Sequence, residues 1–204
     1  MDINIHNLTF DYNSVVILTY FLLSLGALIL NYGTKGMSNQ LIFSSYRSSI
    51  YDPLTYVRLL GHSIGHQDWQ HFIGNFLYIL LVGPMIEEKY GSTNLLVMLA
   101  ITSVVIGIFN ALFDNYNICG ASGNVYMLIV LSSFSNISEG KIPITLILVL
   151  ILYLSIEIKN GIRDKENNTY HLGHLMGMVC GAAFGFILLY HPEIFTDYIA
   201  HLKN

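Results

Sequence analysis

The sequence predicts an all-α membrane protein with six transmembrane helices packed into one bundle. Two observations lead to this fold class. Of the 204 residues, 53% are hydrophobic and only 11% are charged, which is too apolar for an ordinary soluble domain. The charged residues also leave six long windows without Asp, Glu, Lys or Arg, which lie between Asp11 and Lys35, Asp68 and Glu87, Lys89 and Asp114, Asp114 and Glu139, Lys141 and Glu157, and Glu166 and Glu193.

Each charge-free window is a candidate membrane span. A helix rises about 1.5 Å per residue and needs roughly 17 to 25 residues to cross a hydrocarbon core of about 30 Å. The alternative, a soluble protein with buried helices, would leave too little polar chain to cover six apolar segments. The predicted helices are Ser14–Asn31, Trp69–Ile86, Asn94–Phe113, Ser122–Ser135, Ile142–Ile158 and His171–Tyr190. The fourth is short because glycines and serines shorten both of its ends.

The rest of the chain adds no second domain, so we expect residues 1–204 to form a single membrane domain with core helices from about 14 to 190. The first apolar run lacks a preceding basic stretch and a small-residue cleavage site, which indicates a retained helix. Cys119 and Cys180 lie in apolar surroundings and do not suggest a disulfide framework. A net charge of -4 without a basic stripe argues against a nucleic-acid partner.

Polar side chains inside the spans are functional candidates because lipid cannot satisfy them. His71 and Asn75, where the second helix begins, are four residues apart and share one helix face. His62 is explained equally well as an interfacial residue that faces lipid headgroups. We predict no metal site, since His62, His66 and His71 lack a further Cys or carboxylate at ligand spacing apart from Asp68.

A serine opens the fourth helix within Gly120-Ala121-Ser122-Gly123. A lone serine at a helix start is ordinarily an N-cap. The flanking glycines instead indicate a backbone that another group approaches closely, and N–H groups at a helix N-terminus are well placed to receive an oxyanion. Tyr126 lies four residues on, over Ser122 on the same face.

The sixth helix carries a ridge of small residues beside a histidine. Gly173, Gly177, Gly181 and Gly185 are spaced by four, a pattern that lets another helix approach almost to backbone contact. Packing explains the glycines but not His174, an ionisable group beside the ridge. The alternative role for His174 is a hydrogen-bonded residue that joins two helices.

These polar residues are expected to lie at one depth in the membrane. Successive spans alternate direction, so His71 and Asn75, Ser122, and His174 all lie near helix starts on the same side. A serine, an imidazole and N–H donors are the components of nucleophilic acyl transfer. We expect no Asp or Glu near them, and therefore predict a Ser122–His174 dyad in which Tyr126 supports the His174 ring.

The motifs resemble the rhomboid family, from about Arg58 to Gly185. They are a G-x-S-G serine with a tyrosine four residues later, H-x-x-x-x-H-x-x-x-N entering the second helix, and G-H-x-x-G-x-x-x-G in the sixth. The resemblance implies a six-helix rhomboid-like bundle and an intramembrane serine endopeptidase without metal or cofactor. Its partners would be the lipid bilayer and transmembrane protein substrates, cut in or near their transmembrane segments.

The resemblance also implies a role for each candidate residue. Ser122 would be the nucleophile and His174 the general base and acid. The oxyanion and substrate would be bound by residues around this pair, namely His71, Asn75, Gly120, Tyr126, the Ser122 amide and His66. His66 would lie on the cavity wall. Arg58 and Glu87 would have structural roles, and Gly177 and Gly181 would hold the sixth helix against the fourth.

The resemblance places the chain in the inner membrane of a bacterial cell with the site facing outward, but the basic residues oppose that orientation. Lys89, Lys141 and Lys203 lie on loops that would be inside, whereas six Lys and Arg lie on the outer loops, against the positive-inside expectation. Two other functions stay open. One is an inactive rhomboid-like protein that binds membrane clients, and the other is a small transporter whose polar residues line a permeation path.

Overall fold

A computed structural model describes residues 12–113, 117–134, 137, 144–163 and 168–191, without the side chains of 160–163 and 168–170. Within these ranges the secondary structure is helical, apart from an isolated antiparallel bridge between Ser45 and Ile118. The helices are α1 Val15–Gly33, α2 Pro53–Gly61, α3 Trp69–Tyr90, α4 Ser92–Phe113, α5 Ser122–Phe134, α6 Ile144–Arg163 and α7 Asn168–Tyr190, with a short π-helix at Asn39–Phe43.

Each predicted apolar segment coincides with a helix, and the all-helical class is confirmed. Among the described residues, four helices are long and apolar enough to cross a membrane: α1, α3, α4 and the His171–Tyr190 part of α7. Helix α5 has 13 residues, about 20 Å at 1.5 Å per residue, and is as short as predicted. The sequence predicts neither α2 nor the π-helix, both of which lie in the connection between α1 and α3.

Glu87 on α3 caps the start of α1. Its two carboxylate oxygens accept hydrogen bonds from the backbone amides of Val16, at 3.0 Å, and Ile17, at 3.1 Å. The first amides of a helix have no partner within the helix and favour a negative charge. Glu87 is only 5% exposed, so this buried carboxylate ties α1 to α3, in agreement with its predicted structural role.

Arg58 holds α2 against the segment that precedes it. The side chain is buried, and its Nε donates to the Leu41 carbonyl at 3.0 Å. Its Nη1 pairs with Asp52 at 3.0 Å, and its guanidinium lies 4.6 Å from the centre of the Tyr46 ring. Asp52 also accepts from the Leu54 amide and caps α2. That amide and then Arg58 hold the pKa of Asp52 below its ordinary value.

The glycine ridge of α7 packs directly on α5. A β-carbon at Gly177 would collide with the backbone of Gly123, and one at Gly181 would lie 2.5 Å from the Met127 carbonyl oxygen. Only glycine permits so close an approach of two helices. The prediction that Gly177 and Gly181 hold these helices together is confirmed, and the contact brings the start of α5 next to the first turns of α7.

Candidate active site

Ser122 is the first residue of α5 and follows a tight turn at Gly120. The φ angle of Gly120 is +130°, a conformation that side chains other than glycine rarely adopt. A β-carbon there would lie 2.5 Å from Cε1 of the His71 ring. The close approach expected from the flanking glycines therefore occurs, and it places the start of α5 against His71.

Ser122 and His174 lie within hydrogen-bonding distance. Ser122 Oγ is 2.9 Å from His174 Nε2. The Tyr126 ring stacks on the His174 ring, with centroids 4.4 Å apart and an angle of 19° between the planes. The contact between Tyr126 and His174 is as predicted. An imidazole nitrogen in this position can accept the proton of the serine hydroxyl.

The prediction that no Asp or Glu lies near the pair is wrong. Glu157 of α6 has a side chain that is only 3% exposed, and its Oε2 lies 3.1 Å from His174 Nδ1 and 2.6 Å from His171 Nδ1. The Tyr126 hydroxyl donates to the other carboxylate oxygen. Glu157 and His171 are the site residues that the sequence analysis missed. A signal was present, because His171 and His174 are three residues apart and share one face of α7.

These three side chains also have the donor types of a metal site. The carboxylate of Glu157 and the imidazoles of His171 and His174 offer ligand atoms that all lie within 4.8 Å of one another. Histidine and carboxylate ligands are common at zinc sites. The cluster is therefore compatible with a divalent cation by ligand type, which the prediction of no metal did not consider.

A second hydrogen-bonded group lies at the start of α3. Asn75 Nδ2 donates to His66 Nε2 at 3.2 Å, and the Ala121 amide donates to the same nitrogen at 3.4 Å. Because Nε2 accepts both, the ring proton belongs on Nδ1, which donates to the Ile64 carbonyl at 3.1 Å. Burial, and then the neighbouring His71, lower the pKa of His66 to about 4, in keeping with a neutral acceptor.

His66 and His62 do not have the positions expected of them. His66 is fully buried behind Asn75, so the prediction that it forms part of the cavity wall is wrong. Its contact positions the Asn75 amide. His62 is also buried, and its Nε2 donates to the Ser103 carbonyl on α4 at 2.8 Å. The interfacial interpretation of His62 is therefore wrong, and burial lowers its pKa.

The Gly120 amide is not available to bind an oxyanion, contrary to the prediction for this residue. It donates to the His62 carbonyl at 2.8 Å. What Gly120 contributes is the absence of a side chain, which leaves room for the His71 ring. The donors that remain near Ser122 are its own amide, at the N-terminus of α5, and the side chains of His71 and Asn75.

A single cavity of about 530 Å³ joins most of the predicted residues. This volume lies within the usual range for small-ligand sites, about 300 to 1,000 Å³. The convergence expected from the alternating helix directions is thus present. The cavity is lined by polar and aromatic residues from α3, α5, α6 and α7, among them His71, Asn75, Ser122, Tyr126, Tyr153, His171 and His174.

Comparison with known proteins places the sequence in a family. The model of the Rhomboid domain matches residues 53–191. RHOMBOID-like protein 4 of Arabidopsis thaliana is 30% identical over 140 residues, which are 67% of this chain and 35% of that protein. Rhomboid protease GluP of Bacillus subtilis is 25% identical over 173 residues, 85% of this chain and 33% of that protein.

The similarity extends to a bacterial relative of more comparable length. Rhomboid protease GlpG of Haemophilus influenzae is 22% identical over 142 residues, 64% of this chain and 68% of that protein. The chain spans about a third of the length of the Arabidopsis and Bacillus relatives. The matched domain covers α2 to α7 and every residue of the candidate site. The chain therefore belongs to the rhomboid family.

Proposed function

We propose that the protein is an intramembrane serine endopeptidase that hydrolyses peptide bonds in or near transmembrane segments of other membrane proteins. The observation that carries the proposal is the 2.9 Å contact between Ser122 Oγ and His174 Nε2, within a cavity that both residues line. The names of two relatives, the rhomboid proteases GluP and GlpG, agree with this activity.

The proposed reaction uses Ser122 as nucleophile and His174 as general base and acid. Ser122 Oγ forms a bond to the carbonyl carbon of the substrate while its proton passes to His174 Nε2. The carbon–nitrogen bond of the substrate then breaks, and Nε2 returns that proton to the departing amine. A water molecule then attacks the carbonyl carbon of the acyl-enzyme while one of its protons passes to His174 Nε2. The bond to Ser122 Oγ breaks, and Nε2 returns the proton to Oγ. This step releases the carboxylic acid and restores both residues.

The proposed oxyanion site consists of the Ser122 amide and the side chains of His71 and Asn75. All three residues line the cavity. Hydrogen-bond donors that are fixed before the reaction stabilise the charge that develops on the carbonyl oxygen. His66 supports this arrangement because it holds the Asn75 amide nitrogen at 3.2 Å, and an amide nitrogen has a second hydrogen to donate.

We further propose that α5 and α6 also cross the bilayer, which makes six spans with α1, α3, α4 and α7. The shortness of α5 supports a site below the membrane surface, since Ser122 begins a helix of 13 residues. Hydrolysis at that depth requires water, and the polar side chains among those that line the cavity, such as His71, Asn75 and Ser122, would bind it. The bacterial sources of GluP and GlpG agree with the location proposed for this chain, the cell (inner) membrane of a bacterium.

The test is cleavage of a panel of transmembrane substrates by the purified protein in proteoliposomes. We expect Ser122→Ala and His174→Ala each to lower turnover by at least about 1,000-fold. Ser155→Ala is the matched control, because this exposed hydroxyl on α6 bonds, among the residues that the structure describes, only to carbonyls of its own helix. Cleavage by Ser122→Ala at the wild-type rate would remove Ser122 from the mechanism.

Two further results would redirect the proposal. If the folded protein binds the panel without cutting it, the client-binding function is favoured. If the proteoliposomes instead conduct ions or solutes, the transporter function is favoured. Both outcomes contradict the proposed hydrolase.

A further inference from the structure

Glu157 is a buried carboxylate in a helix of a membrane protein. Its side chain is 3% exposed. Removing a carboxylate from water is costly unless hydrogen bonds or opposite charges compensate, and such residues in membrane helices are usually functional. The groups that compensate Glu157 all belong to the candidate site: the Tyr126 hydroxyl, His171 Nδ1 and His174 Nδ1.

The contacts form a closed arrangement around the His174 ring. Tyr126 stacks on that ring through its own ring and holds Glu157 Oε1 through its hydroxyl. Glu157 Oε2 then lies 3.1 Å from His174 Nδ1, while Ser122 Oγ lies 2.9 Å from Nε2 on the opposite side of the ring. Serine, imidazole and carboxylate therefore follow one another as they do in a catalytic triad.

The approach of the carboxylate to His174 is close but not aligned. Nδ1 is buried and has no hydrogen-bond partner of good geometry within the described part of the chain, although Oε2 is at ion-pair distance. Oε2 also accepts from His171 at 2.6 Å, so the two imidazoles share it. Catalytic hydrogen bonds are often poorly aligned before substrate binds and tighten afterwards.

We propose that Glu157 is a positioning residue that orients His174 and stabilises its imidazolium form during catalysis. This inference rests on the proposed function. The carboxylate keeps the ring proton on Nδ1, which leaves Nε2 free to accept the proton of Ser122. When that proton arrives, the ring gains a positive charge beside the negative charge of Glu157. Glu157 itself takes up no proton.

The test is Glu157→Gln in the full chain, with Glu88→Gln as the matched control. Glu88 lies on α3 and is exposed, so the control makes the same chemical change away from the site. In soluble serine proteases the amide in place of the orienting acid lowers kcat about 10,000-fold. Since the Glu157 carboxylate is shared with His171, we expect a smaller loss in kcat, about 100-fold. A loss of this kind is expected when a group that orients the catalytic base is removed.

The loss should appear in kcat and leave KM nearly unchanged, because Glu157 acts on the base and does not touch substrate. The rate at which a fluorophosphonate labels Ser122 should fall by the same factor. A wild-type kcat in folded Glu157→Gln would overturn the proposal. If Glu157→Gln keeps the wild-type kcat while Ser122→Ala is inactive, only the role of Glu157 is refuted. Cleavage by Ser122→Ala would refute the proposed function itself.

A measurement on the wild type keeps the proposal testable if Glu157→Gln does not fold. The measurement is the nitrogen-15 histidine spectrum of the intact protein at neutral pH, in which the His174 signal is assigned from its absence in His174→Asn. The proton of the His174 ring should reside on Nδ1. A proton on Nε2 would overturn the proposal. So would activity that is lost on treatment with EDTA and restored by Zn²⁺, since a metal held by Glu157, His171 and His174 would occupy the same Nδ1.

Discussion

Gly177→Ala tests whether the contact between α5 and α7 sets the geometry of the site. A β-carbon at Gly177 would lie 3.0 Å from the carbonyl carbon of Gly123 and closer still to its oxygen, whereas ordinary contact begins at 3.4 Å. The atoms it meets belong to backbone, so the helices themselves must separate, by about 1 Å, at an overpacking cost of about 1 to 3 kcal/mol.

Such a separation would move Ser122, which precedes Gly123, away from His174, which lies one helical turn before Gly177. The Ser122 Oγ to His174 Nε2 distance, 2.9 Å at present, would rise towards 4 Å, beyond hydrogen-bonding range. A misplacement of about 1 Å costs about 100-fold in rate, and we expect that loss in kcat/KM for a transmembrane reporter substrate. The unfolding free energy of the same sample gives the stability cost independently.

Gly26→Ala is the control for this substitution. Gly26 also lies in a helix, α1, and no atom of the described residues lies within 4 Å of a β-carbon there. We expect wild-type turnover and a stability equal to that of the wild type or up to about 1 kcal/mol above it, since alanine favours the helix. Wild-type activity and stability in Gly177→Ala would refute the reasoning that glycine at this position sets the distance between Ser122 and His174.

Three further predictions concern stability. Glu87→Gln should cost about 1 to 3 kcal/mol of unfolding free energy, because an amide has one oxygen in place of the two that cap α1; a midpoint equal to that of Glu88→Gln would contradict the capping role. Arg58→Lys should cost about 1 to 2 kcal/mol, since one ammonium cannot replace the fork that spans Leu41 and Asp52; an unchanged thermal midpoint would contradict this. Between pH 6.5 and about 4 the His66 side chain binds a proton in the unfolded chain but not in the folded protein. The free energy of unfolding should therefore fall by up to about 3 kcal/mol as the pH is lowered through that range. The same pH slope in His66→Gln would contradict this assignment.

The apolar helices were predictable because charge is so rare in the chain. A window without Asp, Glu, Lys or Arg is a strong signal in a membrane protein, and α4 and α5 begin or end within two residues of the predicted bounds. The convergence of Ser122, His174 and Asn75 followed from the alternation of helix direction. The close packing of the glycine ridge followed from its four-residue spacing, whereas its pairing with α5 followed from the resemblance to the rhomboid family.

The missed features depend on which way a side chain points. Glu157 marked the end of a charge-free window, and a boundary charge gives no indication that it turns into the bundle. His66 was assigned to the cavity wall, but its depth behind Asn75 is set by the path of the loop after α2. Helix α2 has only nine residues and carries Arg58, so neither its length nor its composition distinguishes it from a loop.

The central claim is that His174 activates the hydroxyl of Ser122. The most direct measurement is mass-spectrometric mapping of the adduct formed by a fluorophosphonate probe on the folded wild type, Ser122→Ala and His174→Ala. We expect one adduct on Ser122 in the wild type and none in either variant. An unlabelled Ser122 in the wild type, or equal labelling in His174→Ala, would contradict the account.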